Sequence, residues 1–327
     1  MEPVDWLKRA GVFAVVFVVV VGGLSAGSMP AQPQPPEMTT LTVDSFSPDT
    51  IVAQEPEQTG TVAMSANASG EVIVLDMAHQ NDVSTAQLEP LLSTLTSEGA
   101  TITVLTPDMA RGSGFNETLR KADAFVSIGA QEPFTTAQID GLTAFSEGGG
   151  RVLLMTEPKQ MVGGLLFRPV EPPEPAPYVS LTSQFGMTFG SGYLYNMQEY
   201  ANNYRNVYAT PTGSNALTAD VSRTVHLEAT TVEGGQPLLT GLENTELSST
   251  RRQGAFPIAA TSGNVTAVGD TTFISTAGLR RGDNEVFAGN LLDFLVEGEK
   301  REGVPRKPQP EGEQLRDGGS ERPPQPP

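Results

Sequence analysis

Residues 72–79, VIVLDMAH, form a run of β-branched and aliphatic side chains that stops at an acid. A continuous aliphatic run of this length marks a strand covered on both faces, because a half-solvated strand would alternate apolar with polar residues. The run predicts a first strand at 72–76, and the same kind of strand recurs downstream at 101–105, 124–128 and 152–155. Amphipathic stretches lie between these strands. Ser84 with Gln87 makes a capping box before Leu88, Leu91, Leu92 and Leu95, and this predicts a helix that starts at Ser84 and ends at Gly99. A short helix is predicted over 116–121. Thr135 with Gln138 makes a second box before Ile139, Leu142 and Phe145, on a helix that stops at Gly148-Gly149-Gly150. Strands alternating with helices predict an α/β domain with a mostly parallel sheet.

From 157 to 252 the alternation dissolves into a proline-rich excursion and an aromatic, Asn-rich stretch that holds Phe185, Phe189, Tyr193, Tyr195, Tyr200 and Tyr204. We expect a β-rich insertion there with its own small core. Regular structure returns with strands at 256–260 and 265–268. Asp283 then stands as N-cap of a helix whose Phe287, Leu291, Phe294 and Leu295 share one face.

The ends of the chain differ in kind from its middle. Residues 10–27 are uncharged and rich in Val and Phe, with Lys8 and Arg9 just before them and no further basic residue until Arg111. A run of this length and flanking charge predicts one transmembrane helix, cytoplasmic N-terminus first, with the rest of the chain outside the cell membrane. The small residues Ser25, Ala26, Gly27 and Ser28 leave a cleaved signal peptide as the alternative. Residues 28–58, with six prolines, predict a linker, and residues 298–327, with seven prolines and balanced charge, predict a disordered tail. The expected domain is therefore 59–297.

Acids outnumber bases by 38 to 20, and the whole net charge of −18 falls between these ends, where thirty acids face twelve bases. Such a surface argues against nucleic acid and anionic lipid headgroups as partners and suits a medium of high salt. The chain has no cysteine, which removes disulfides, thiolate metal sites and thiol nucleophiles.

Several features together resemble the domain of unknown function 4350 family. They are Asp76-x-x-His79 after the first strand, the LxxLxxxG helix ending at Gly99, Gly149-Gly150-Arg151 before an aliphatic strand, Gly269-Asp270-x-x-Phe273, and Asn284 followed by Asn290-Leu-Leu-Asp-Phe294. That resemblance covers about 70–297. It implies a flavodoxin-like, class I glutamine amidotransferase-like fold and similarity to membrane-anchored accessory subunits of gliding-type ABC transport systems, hence a membrane protein or transporter as partner. Amidotransferases of that class use a Cys nucleophile with a His-x-Glu pair. His226-Leu227-Glu228 shows the pair, but no Cys exists and Ser127 lies inside a strand instead of on a nucleophile elbow.

No motif fixes a catalytic residue. Asp76, His79 and Asp82 have the chemistry of metal ligands, yet in a loop they read better as turn formers, so no metal is assigned. With the sheet order 2-1-3-4-5, the loops after strands one and three would diverge and bring Asp76, His79, Asn81, Gln131 and Glu132 to one crevice. That mouth has no Gly-rich phosphate turn, so no cofactor is expected there. Two functions follow: an extracytoplasmic, non-catalytic binding module tethered to the membrane, or a hydrolase built on Asp76, His79 and His226. If the domain is exported, Asn67, Asn116 and Asn264 stand in glycosylation sequons.

Overall fold

The structure, a computed structural model, describes residues 59–158 and 177–306. The expected transmembrane helix, the linker and the end of the tail lie outside these residues. Among the described residues no helix is long and apolar enough to cross a membrane.

The strands are β1 (Val72–Asp76), β2 (Thr101–Leu105), β3 (Ala124–Ile128), β4 (Arg151–Met155), β5 (Met187–Phe189), β6 (Leu194–Tyr195), β7 (Val207–Pro211), β8 (Thr224–His226), β9 (Val232–Gly234), β10 (Gln236–Gly241), β11 (Glu246–Leu247), β12 (Pro257–Ser262) and β13 (Val265–Val268). The helices are α1 (Glu89–Ser97), α2 (Gly114–Leu119), α3 (Thr136–Glu147), α4 (Val179–Thr182) and α5 (Asn284–Val296). Nine strands form one sheet in the order β2-β1-β3-β4-β13-β12-β10-β7-β8, and β6 with β11 and β5 with β9 form two small ones.

The first five strands of that order pair in parallel. Their side chains alternate strictly between two cores. Ile73, Leu75, Val126, Ile128 and Leu153 pack with Leu91 and Leu95 of α1 and with Phe287 and Leu291 of α5. Val74, Phe125, Val152 and Leu154 pack on the opposite face with Phe115 of α2 and with Leu142 and Phe145 of α3. Burial on both faces is why β1, β3 and β4 are largely apolar, whereas β2, at the edge of the sheet, leaves Thr101 and Val104 exposed.

The structure corrects several expectations. The sheet is mixed instead of mostly parallel, because β12 and β13 are joined by a two-residue turn and β7, β8 and β10 add to it antiparallel; a connection that short allows only antiparallel pairing. The stretch expected to hold its own core shares the two main ones, with Val207, Leu238 and Leu239 in one and Tyr178, Phe189 and Val232 in the other. Helix α1 begins at Glu89, not Ser84. The Ser84–Gln87 box does form, with Ser84 N–H donating to Gln87 Oε1 at 2.8 Å. It closes a turn only, because a helix from Ser84 would carry Pro90 in its interior, where the missing N–H and the ring break the ladder, whereas Pro90 suits the first turn of a helix starting at Glu89. The tail is ordered through 306: Arg301 N–H donates to Gly148 O at 2.8 Å and Lys300 Nζ to Arg120 O at 2.8 Å.

The second capping box forms as expected, with Thr135 and Gln138 satisfying each other's backbone N–H groups at the start of α3. Asp283 stands at the N-cap position of α5 but does not cap it. Its carboxylate instead accepts the N–H groups of Ser222 and Arg223 at 2.7 and 2.9 Å, which ties the start of β8 to the helix.

Candidate functional site

The carboxyl ends of β1 and β3 bring Asp76, His79, Asn81, Gln131 and Glu132 together, but as a closed plug. His79 Nδ1 lies 2.9 Å from both oxygens of Asp76. The carboxylate also accepts Ala78 N–H at 3.0 Å and the Ser127 hydroxyl at 2.6 Å. Ser127 has one hydroxyl proton and gives it to Asp76, so the 3.0 Å contact between Ser127 and Tyr178 is donated by the phenol. Tyr178 in turn accepts Ala130 N–H at 3.0 Å. A chain of donors thus runs from the Ala130 amide through two hydroxyls to one carboxylate. Asp76 is 1% exposed, His79 4% and Tyr178 0%.

The other ring nitrogen of His79 faces Gln138 Oε1 at 3.4 Å. The capping box decides which amide atom that is, since the same oxygen accepts the N–H and hydroxyl of Thr135. Both ring nitrogens therefore face acceptors, which calls for an imidazolium. Burial alone would pull the His79 pKa down, but the hydrogen bond and charge of Asp76, with Gln138 and Glu132, outweigh it and hold the ring above its ordinary value. The ring stacks on Phe134 at 3.9 Å, where a cation is favoured over the aromatic face. Burial pushes the Tyr178 phenol far up, so it stays a donor.

The backbone closes the rest of the mouth. His79 O accepts the N–H groups of both Gln131 and Glu132, at 2.9 and 3.0 Å. Asn81 Oδ1 accepts His79 N–H at 3.2 Å, and its Nδ2 donates to Ile128 O at 2.9 Å. Gln80, Gln131 and Glu132 are exposed, and Gln80 donates to Glu132 across the rim. Asp82 is exposed, and its charge, with those of Asp270 and Glu228, bears on Glu157; among the described residues no three His, Asp or Glu side chains are placed to hold a metal ion.

His226 makes a second buried pair, though not with Glu228. Its Nδ1 lies 3.0 Å from Asp270 Oδ2 and its Nε2 3.1 Å from Thr224 Oγ1, with His226 and Asp270 both fully buried. Asp270 also accepts Leu227 N–H and both the N–H and hydroxyl of Thr272. Burial works to raise the Asp270 pKa, but His226 and these donors prevail and hold it below the usual carboxylate range. Glu228 turns away, with φ at 128°, and pairs with Arg205 at 3.2 Å. This pair latches edge strand β8 to the turn after β13. The Gly-Asp-x-x-Phe motif carried the signal, but its partner is 44 residues away, beyond the reach of local pattern.

At the opposite, amino end of β4 lies an open groove of about 890 Å³. Arg151, the β12–β13 turn with Ser262, Gln236 at the head of β10, and Asn290, Asp293 and Glu297 on one stripe of α5 line it. Arg151 donates to Asn264 Oδ1 at 2.7 Å and lies over the Phe294 ring at 4.8 Å; burial draws its pKa down against the charge of Glu297. Asp293 is taken up by Ser65 and Ala66, whose N–H groups it accepts at 2.9 Å each. The side chains of Gln236, Ser262 and Glu297 make no hydrogen bond with described residues, so they stand open to a guest. No sequence pattern announced this groove, because its walls come from six separate segments.

These observations define a mixed α/β domain with a helix-covered sheet, a plugged carboxyl end and an open amino end. The chain belongs to the family described as "Domain of unknown function (DUF4350)", whose model matches residues 77–292. The fold is similar to that of a solved structure described as "mmIFT52 N-terminal domain", at a TM-score of 0.55 and 14% identity over 70% of this chain and 99% of that one. A weaker likeness, at a TM-score of 0.35 and 13% identity over 71% of this chain and 29% of the other, is to a β-galactosidase from the psychrophilic Marinomonas ef1. No curated protein matches the chain.

Proposed function

We propose that this chain is a membrane-tethered, extracytoplasmic, non-catalytic binding module, accessory to a transport or envelope system, and that its guest enters the groove at the amino end of β4. The observation that carries the non-catalytic reading is the state of the two histidines of the chain: each ring has both nitrogens engaged and a buried aspartate of its own. A hydrolase on Asp76, His79 and His226 would need these rings in one site and free to exchange protons. Here Ser127 points at a carboxylate and not at an imidazole.

The order β2-β1-β3-β4-β13 supports reading the parallel part as a flavodoxin-like, class I glutamine amidotransferase-like core. Export and tethering are supported by the uncharged segment 10–27 behind Lys8 and Arg9. The acidic surface supports a salt-rich medium, in which case the melting temperature rises from dilute buffer to molar salt; a melting temperature indifferent to salt removes that part of the reading.

The test is a photo-crosslinking side chain at Gln236 in the groove, with matched positions at Gln131 on the plugged mouth and at Ser93 on α1, in intact cells. Adducts to an integral membrane protein from Gln236 alone support the proposal. Equal adducts from all three positions, or none, count against it. Protease added outside the same cells should cut the domain's leading segment, and complete protection sinks the outward orientation.

A further inference from the structure

We propose that Asn67 is the attachment site of an N-linked glycan and that Asn116 and Asn264, which also stand in sequons, are closed to modification once the domain has folded. The proposal rests on the exported reading given above.

Glycan transfer needs a free amide nitrogen. The Asn Nδ2 attacks the anomeric carbon of a sugar carried on a polyprenyl phosphate; the C–Nδ2 bond forms, the anomeric C–O bond breaks, the lipid phosphate leaves with the electron pair, and one amide proton passes to base. An amide nitrogen already held inside the fold cannot do this without breaking local structure.

Asn264 is held at both ends: its Nδ2 donates to Ser146 O at 2.8 Å, and its Oδ1 accepts Arg151 Nη1 at 2.7 Å. A sugar on that nitrogen would cut the link between the β12–β13 turn and the end of α3. Asn116 is wedged between α2 and α3. Its Nδ2 donates to Ala137 O at 3.3 Å, and its Oδ1 occupies the space where a Cβ on Gly141 would stand, 1.9 Å from that point.

Asn67 differs in each respect. It is exposed, and its Nδ2 has no partner among the described residues. Its Oδ1 accepts Ser69 N–H at 2.8 Å, so the oxygen is turned inward and the nitrogen is left outward. Fully buried Ala68 pins the turn, and Glu71 N–H closes it onto Ala68 O at 3.1 Å. The turn presents Asn67 just before β1, with Ser69 exposed and its hydroxyl making no hydrogen bond in the described structure.

The full chain, expressed in a host that exports it and glycosylates proteins, is tested by peptide mass spectrometry alongside protease accessibility in intact cells. The expected result is a glycan on most copies of the Asn67 peptide and on few or none of the Asn116 and Asn264 peptides. Ser69→Ala should abolish the modification while leaving the melting temperature unchanged, since that hydroxyl holds nothing. A protease-accessible chain with bare Asn67 overturns the proposal alone; a chain that is shielded and bare overturns the exported reading and the proposal with it. A purified oligosaccharyltransferase offered the folded full chain with a lipid-phosphate glycan separates the two further. It should modify Asn67 and spare the other two until the domain is unfolded, and equal modification of all three in the folded chain refutes the assignment.

Discussion

The two ends of the parallel sheet use polar residues in opposite ways. At the carboxyl end, Asp76, His79, Ser127 and Tyr178 satisfy one another and Phe134 lies over the imidazole, so that nothing polar in the plug remains free. At the amino end, the side chains of Gln236, Ser262 and Glu297 face an open groove and make no hydrogen bond within the described structure. The same residue types would be read as functional in either place. What separates them is satisfaction: a buried charge persists only when paired and hydrogen-bonded, whereas an exposed amide or hydroxyl is kept in water at no cost.

Breaking the plug should have the largest effect. Asp76→Ala removes the acceptor of the buried His79 ring, the Ser127 hydroxyl and the Ala78 N–H, and should cost about 3–5 kcal/mol in denaturant unfolding. A loss below 1 kcal/mol, on the order of one ordinary hydrogen bond, would mean that the plug is loose and that the mouth is a site after all.

Tyr178→Phe keeps the ring but leaves the Ala130 N–H without an acceptor and removes the hydrogen bond that the phenol donates to Ser127, at about 1–3 kcal/mol. A larger loss would show that the ring's packing, which this change preserves, is not the only thing tying the segment around α4 to the sheet.

Stability should also fall at both pH extremes, for separate reasons. The folded His79 pKa stands above the free value of 6.5, so its stabilising contribution is full below about that pH and is lost as pH rises through the folded value. The Asp270 pKa stands below 3.8, so its contribution is full above that pH and is lost as pH falls through the folded value. In thermal melts across pH, His79→Gln should flatten the alkaline decline and leave the acid one. If it flattens neither, His79 is not charged in the fold.

The groove should give the smallest response. Gln236→Ala should stay within about 0.5 kcal/mol of the parent chain, since the amide holds nothing. A cost above 1.5 kcal/mol, beyond about one hydrogen bond, would make it scaffold and close the comparison.

Much of the fold was legible because it is local. Period-two alternation between two covered faces left β1, β3 and β4 as aliphatic runs, and Thr135 with Gln138 announced α3. Pro90 was legible too, and it outweighs the Ser84 box for a steric reason. The His79 environment was half legible: Asp76 is three residues away, but Ser127, Tyr178 and Gln138 arrive from separate elements, Ser127 being 51 residues from Asp76 and Gln138 59 from His79. His226 showed a local Glu at 228 and pairs instead with Asp270, because β8 ends at His226 and the backbone turns Glu228 away to Arg205, while the turn after β13 brings the distant carboxylate onto the ring.

The amino-acid order by itself determined where the strands and helices of the α/β part form, apart from the start of α1, together with the family and the distribution of charge, since each depends on neighbours within a few turns of chain. Only the tertiary structure decided that 177–252 shares the main cores, that the mouth is plugged, that the open groove lies at the other end, and which sequon amide is free. Those outcomes depend on pairings across tens of residues. Their chain-closure cost is met by burying apolar surface on both faces of the sheet, and no local pattern records it.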